Sequence, residues 1–176
     1  HRIARRQRQM CIRDSPYGKI IKYSTKNNKA LDQTTLGLFP ASVQVSKITG
    51  FIYCVNFNLH GDMKPSSVSV IDTETMTEIT KIKTGSMPHG SRISKDGLKQ
   101  YSVAMMSGEL FEIDALSLNV SRKLDLENHS LIDHSKMNMG NDKMKHSLVK
   151  PTWVIPHPNK SLAYVAGNGS NEILEL

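Results

Sequence analysis

The chain has 176 residues, with 23 lysines and arginines against 16 acidic residues and a formal net charge of +7, a balance that invites a nucleic-acid partner. Five arginines (Arg2, Arg5, Arg6, Arg8, Arg13) and one acid, Asp14, fall within residues 1–15; without them 18 basic and 15 acidic residues remain, and the charge drops to +3. Outside that stretch the only arginines are Arg92 and Arg122, so no arginine-rich phosphate-binding surface, and no nucleic-acid partner, is expected. No apolar run approaches the ~18 residues of a membrane span. Of the two cysteines, Cys11 lies in the same leading stretch and Cys54 in an apolar strand, which leaves no intrachain disulfide framework.

Residues 1–15 are set apart as non-native, because Arg5 to Ser15 (RRQRQMCIRDS) shares no periodicity with the rest and reads as a translated sequencing adapter. From there on, short strands rich in β-branched and aromatic residues alternate with turns bearing Gly, Asp or Asn. Residues 16–39 supply two strands, GKIIKY and ALDQTTL, on either side of the polar turn STKNNK. Residues 40–87 give ASVQVS, the turn KITG, FIYCVN, a longer loop from Phe57 to Ser66, SVSVI, the turn DTETM, and TEITKI. Residues 88–150 repeat that order: a strand from Pro88, the tight hairpin signal Lys95-Asp96-Gly97, LKQYSVA, ELFEID and NVSRKLDL, then an insertion over about 127–149. Residues 151–176 begin the order again with PTWVIP, HPNK, SLAYVAGN and NEILEL.

The repeat has a register. Pro40 and Tyr53, Pro88 and Tyr101, Pro151 and Tyr164 are each thirteen residues apart, and third strands end at Asp72 and Asp114. Four short strands per unit is the pattern of propeller blades. The predicted fold class is all-β: a β-propeller of four-stranded antiparallel blades, here an incomplete arc of about three to four. It comprises a partial blade (16–39), two blades (40–87 and 88–150) and a truncated one (151–176). An arc this short leaves terminal blade faces uncovered, so marginal stability and further blades of the same polypeptide are expected.

The segments PHGSRISKDGLKQYSVA with LFEID, and PTWVIPHPNKSLAYVAGN with EILEL, resemble the YVTN family of β-propeller repeats, which are WD40-like in architecture. The resemblance covers essentially everything from Tyr17 onward. It implies a ring of about seven blades and an exported protein, periplasmic or extracellular. It also places the chain beside redox propellers, such as those holding haem d1 or serving quinoprotein amine dehydrogenases, and beside sugar lactonases. The longer loop after FIYCVN and the insertion after Leu126 depart from the family pattern.

Strand parity points to where chemistry would sit. Adjacent strands run antiparallel, so successive turns alternate between the two ends of the propeller. By this rule His60, Met63, Met87, His89, Met105, Met106, His129, His134, Met137, Met139, Met144 and His146 fall at one end, and only Met76 and His157 at the other. Within the insertion, His129, His134, Met137, Met139, Met144 and His146 form a candidate metal set. Thioether plus imidazole suits Cu(I), so copper is the cofactor to consider; three histidines with Asp133 are a poorer match for zinc in the absence of thiolates. Met87, His89, Met105 and Met106 are candidates for a ligand site at the channel mouth. His89 opens an innermost strand where the equivalent residues are Ala41 and Thr152, so the repeat itself does not demand imidazole.

Other residues read as structural: Cys54 as a small buried hydrophobe, Trp153 as core between blades, Asp72 and Asp114 as turn carboxylates, and Gly85-Ser86 and Asn168-Gly169 as turns. No nucleophile elbow, paired carboxylates or phosphate-cradling glycine loop is present, and no catalytic residue is assigned. The favoured function is a binding or scaffold domain whose loop-rich face engages a protein or small molecule. The alternatives are the propeller portion of a redox enzyme (haem d1, quinoprotein or copper type) and a lactonase-like hydrolase.

Overall fold

The computed structural model describes residues 17–60, 63–129 and 146–176. The adapter-like stretch and most of the insertion, including His134, Met137, Met139 and Met144, lie outside the described residues.

Among the described residues, strands follow one another with almost no helix. They are β1 (Tyr17–Tyr23), β2 (Ala30–Leu38), β3 (Pro40–Val45), β4 (Phe51–Asn56), β5 (Pro65–Asp72), β6 (Glu78–Ser86) and β7 (Pro88–Ile93), then β8 (Lys99–Ala104), β9 (Glu109–Asp114), β10 (Asn119–Asp125), β11 (Pro151–Pro156), β12 (Ala163–Gly167) and β13 (Glu172–Glu175). A single turn of 3-10 helix, Leu126–His129, follows β10. Every sheet pairs strands in chain order: β1-β2, β3-β4-β5-β6, β7-β8-β9-β10 and β11-β12-β13, all antiparallel. The first strands sit side by side, with β7 packed against both β3 and β11. The sheets therefore fan outward from a shared inner edge.

Cores form between successive sheets because both faces of each inner strand are covered. In β4, Phe51, Tyr53 and Val55 face the third sheet with Ile82, Ile93 and Ile113. Ile52 and Cys54 face the first, with Leu36, Ile71 and Met76. Val103, Leu110, Val154, Val165 and Leu174 fill the seam between the third and fourth sheets. Each fully buried Val or Ile contributes about 1.5–3 kcal/mol relative to exposure. Cys54 is fully buried, and burial, with the nearby charge of Glu78, pushes its thiol up to about 12; it packs as a small hydrophobe.

One joint recurs at each entry to an inner strand. Phe39, Met87 and Lys150 each precede a proline and adopt left-handed backbone with φ of 55°, 51° and 45°, an uncommon conformation for non-glycine residues. Each carbonyl accepts an N–H from just beyond the neighbouring second strand: Phe57 to Phe39 at 2.8 Å, Met105 to Met87 at 3.0 Å, Asn168 to Lys150 at 3.2 Å. This clamp turns the chain from the outer rim back to the inner edge. At the other end, Asp72 accepts from the backbone N–H groups of Glu74 and Thr75. Asp114 accepts likewise from Leu116 and Ser117. These bonds hold both carboxyls below their ordinary range.

Two expectations are corrected. Trp153 is not buried core: its ring meets the third sheet at His89 and Arg92, but it stays 42% exposed. Gly85 and Ser86 are not a turn but the end of β6, which runs on until the single residue Met87 delivers the chain to β7.

Candidate functional site

His89 is the second residue of β7, where the clamp at Met87 and the fixed φ of Pro88 bring the chain to the inner edge. Its Nδ1 lies 3.1 Å from the carbonyl oxygen of Thr152 on β11. A carbonyl only accepts, so Nδ1 must donate, and the neutral ring keeps its lone pair on Nε2. Nε2 has no hydrogen-bond partner among the described residues. The main chain is also fixed, since Ser42 Oγ on β3 donates to the His89 carbonyl at 2.9 Å.

The imidazole stands edge-on between two aromatic rings, Phe57 at 5.2 Å and 85° and Trp153 at 5.5 Å and 88°. Phe57 continues to Phe39 at 6.1 Å, and Phe39 to His60 at 6.3 Å. The run ends at Arg92, whose guanidinium carbon is 5.5 Å from the centre of the Trp153 ring, a cation–π contact. Phe57 lies just beyond β4 of the second sheet, and His89 and Trp153 lie in the third and fourth, so the run crosses both inner seams. Gly90 makes room for it: a Cβ there would lie 2.3 Å from the Thr152 carbonyl oxygen and 2.9 Å from Trp153 Cε3.

The other candidates are distributed as follows. Met87 is buried, and its backbone binds Met105, while Met106 N–H reaches Ser86 and Met106 O accepts from Ser147. Main-chain bonds thus bring Met87, Met105, Met106 and the start of the segment after the insertion to one end of the sheets. No ring contact or hydrogen bond joins His89 to a methionine or to another histidine among the described residues. His129 and His146 are exposed. Among the described residues no group of three or more His, Cys, Asp and Glu side chains is placed to hold a metal.

Sequence reasoning missed Phe39, Phe57, Gly90 and Glu127. Glu127 Oε1 accepts from Ser147 Oγ at 2.5 Å and from the N–H groups of Leu148 and Val149 at 3.1 and 3.3 Å. One carboxylate therefore ties together the two ends of the insertion. The Glu two residues before His129 was the available signal, but its partners lie about twenty residues on.

A second concavity, about 1010 Å³, opens between the third and fourth sheets and is lined in part by Lys99, Tyr101, Glu112, Arg122, His157 and Lys160. Glu112 anchors it, bound by Lys99 Nζ at 2.9 Å, Ser121 Oγ at 2.9 Å and Arg122 at 3.3 Å. Burial alone would raise its carboxyl, but these hydrogen bonds and charges hold it below the ordinary value. Burial, reinforced by Glu112, pushes the Tyr101 phenol up to about 12. Internal pairing satisfies most of this charge.

Consecutive antiparallel sheets of up to four strands, each entered from a common inner edge, define a β-propeller, here an incomplete arc of blades. Solved structures agree. The chain is similar to hydrazine synthase of Kuenenia stuttgartiensis (TM-score 0.63, 20% identity, 84% of this chain and 35% of that one). It is also similar to a functionally unknown protein of Desulfotomaculum acetoxidans (TM-score 0.57, 12% identity, 84% and 41%). The β-propeller domain of Myceliophteria thermophila Cps50 (Swd1) matches with TM-score 0.50, 12% identity, 72% of this chain and 32% of that chain. The chain thus spans well under half the length of each, and likeness at such identity establishes fold alone. No family model matches the sequence, and no curated protein does.

Proposed function

We propose that this chain is part of an extracytoplasmic β-propeller of the YVTN repeat type, with Arg5 to Ser15 adapter-derived, whose loop-bearing end binds a protein or small-molecule ligand. The observation that carries the reading is the seat of His89. Its Nδ1 is anchored on Thr152, its ring is held between Phe57 and Trp153, and its Nε2, without a partner among the described residues, would serve a ligand. The equivalent positions, Ala41 and Thr152, show that the fold needs no imidazole there. Copper is the metal this end would take, through the Met/His-rich insertion. Titration with Cu(I) under reducing conditions tests that part: saturable uptake should disappear when His134, Met137, Met139, Met144 and His146 are replaced together. Uptake equal in the two chains rejects it.

The second reading, the propeller portion of a redox enzyme, is favoured by the same imidazole. A backbone carbonyl on one ring nitrogen is the usual support for a histidine that ligates metal through the other. Haem or Cu(II) added to the chain should then perturb His89, and a His89→Ala variant should not respond. An unchanged His89 signal in the imidazole NMR region ends this reading.

A further inference from the structure

We infer that the seam between β7 and β11 is a binding site for a planar aromatic anion, of the aryl carboxylate class. The inference rests on the reading that this inner edge is a binding surface, and it names the ligand. Outside residues 1–15 the chain has two arginines. Arg122 is paired with Glu112 at 3.3 Å. Arg92 is half-buried and makes one hydrogen bond to a described residue, 3.3 Å to the Ser91 carbonyl. A guanidinium has five N–H donors, so most of those on Arg92 have no partner among the described residues. Stacking on Trp153 restrains its planar fork, which lowers the ordering cost of meeting a carboxylate.

The flanking surface is aromatic. Trp153 stays 42% exposed, and the half-buried imidazole of His89 stands edge-on beside it, backed by the buried Phe57. The repeat supplies an internal control. The positions of Arg92 in the other inner strands hold Gln44 and Ile155, those of Trp153 hold Ser42 and Gly90, and that of His89 holds Ala41 and Thr152. The same backbone is thus built without any of these side chains, so strand formation does not account for them. Together Arg92 and Trp153 offer a cation and an exposed aromatic surface along one short wall, which matches a flat ring carrying one carboxylate.

The test uses the full chain and benzoate as probe, with neutral benzamide and non-aromatic acetate beside it. Binding is read by calorimetry and by the fluorescence of Trp153, the chain's single tryptophan. Benzoate should bind saturably, with benzamide and acetate at least about tenfold weaker. Arg92→Gln should weaken benzoate about tenfold, while Arg122→Gln leaves it unchanged. If Arg92→Gln loses its β-sheet circular dichroism, Arg92→Lys replaces it; keeping charge without the fork should still weaken binding several-fold. Benzoate no tighter than benzamide, or indifferent to Arg92, overturns the inference. If that happens while copper or haem still responds to His89, the broader reading stands; if neither binds, both fall.

Discussion

Tyr53 donates its hydroxyl to the carbonyl oxygen of Ala115 at 3.3 Å, across 62 residues of sequence and one seam between sheets. Its repeat equivalent, Tyr101, engages Glu112 instead. The same residue at the same register therefore sends its hydroxyl across a seam in one case and keeps it beside a carboxylate of its own sheet in the other, although Tyr101 also packs on the core between the third and fourth sheets. Tyr53→Phe should destabilise the chain by about 1 kcal/mol, the net worth of a buried hydrogen bond whose acceptor is left unmade. Tyr101→Phe should cost less, because Glu112 keeps Lys99, Ser121 and Arg122. Urea unfolding of the two variants gives the comparison, and equal losses would contradict it.

Stability should fall at both extremes of pH. Asp72, Asp114 and Glu112 have carboxyls held below their ordinary values of 3.8, 3.8 and 4.5. Their contribution is complete above those values and is lost as pH drops through the lowered folded ones. Tyr101 is the reverse case, raised from 10.0 to about 12, so its contribution is complete below pH 10 and disappears as pH rises toward 12. Asp72→Asn with Asp114→Asn should flatten the acid limb of a melting-temperature profile and leave the alkaline limb alone.

Gly90→Ala should open the inner seam. The added methyl meets the Thr152 carbonyl oxygen at 2.3 Å and Trp153 Cα at 2.7 Å, both backbone atoms that cannot rotate away. Overpacking of this kind costs about 1–3 kcal/mol. The emission of Trp153 should shift with it, whereas a variant destabilised elsewhere would keep the native spectrum until it unfolds.

Glu127→Gln should loosen the base of the insertion. Charge-assisted hydrogen bonds are worth about 1.5–3 kcal/mol each when a charged acceptor is lost. The amides of Leu148 and Val149 should then exchange with deuterium faster, while those of β4 and β5 do not change. Exchange unaltered at both amides would show that the carboxylate is not what ties the ends.

The fold was largely legible because strand boundaries follow residue type. FIYCVN and ELFEID are β4 and β9 to the residue, and Asp72 and Asp114 cap the turns expected of them. What stayed hidden was work done by backbone. Phe39, Met87 and Lys150 share a left-handed joint but no side-chain chemistry; the proline after each marks the position without revealing the backbone conformation. Trp153 illustrates another limit: apolar character says that a side chain prefers cover, not which side of an inner strand it occupies. The site was half visible. His89 stood out against Ala41 and Thr152, but Phe57 acquires meaning only once it is brought to that imidazole, and Arg92 only once another sheet lays Trp153 against its guanidinium.

The burial of Cys54 makes it a clock for the seam between the first two sheets. A thiol held near 12 and shut from solvent reacts with an alkylating reagent only during moments when the sheets part. In a chain carrying Cys11→Ser, labelling of Cys54 should run at the opening frequency of that seam rather than at the reagent's own speed. It should accelerate with Leu36→Ala, which hollows the same cluster, and ignore Val165→Ala, which hollows a different one. The chain thus carries its own gauge of how independently neighbouring blades come apart.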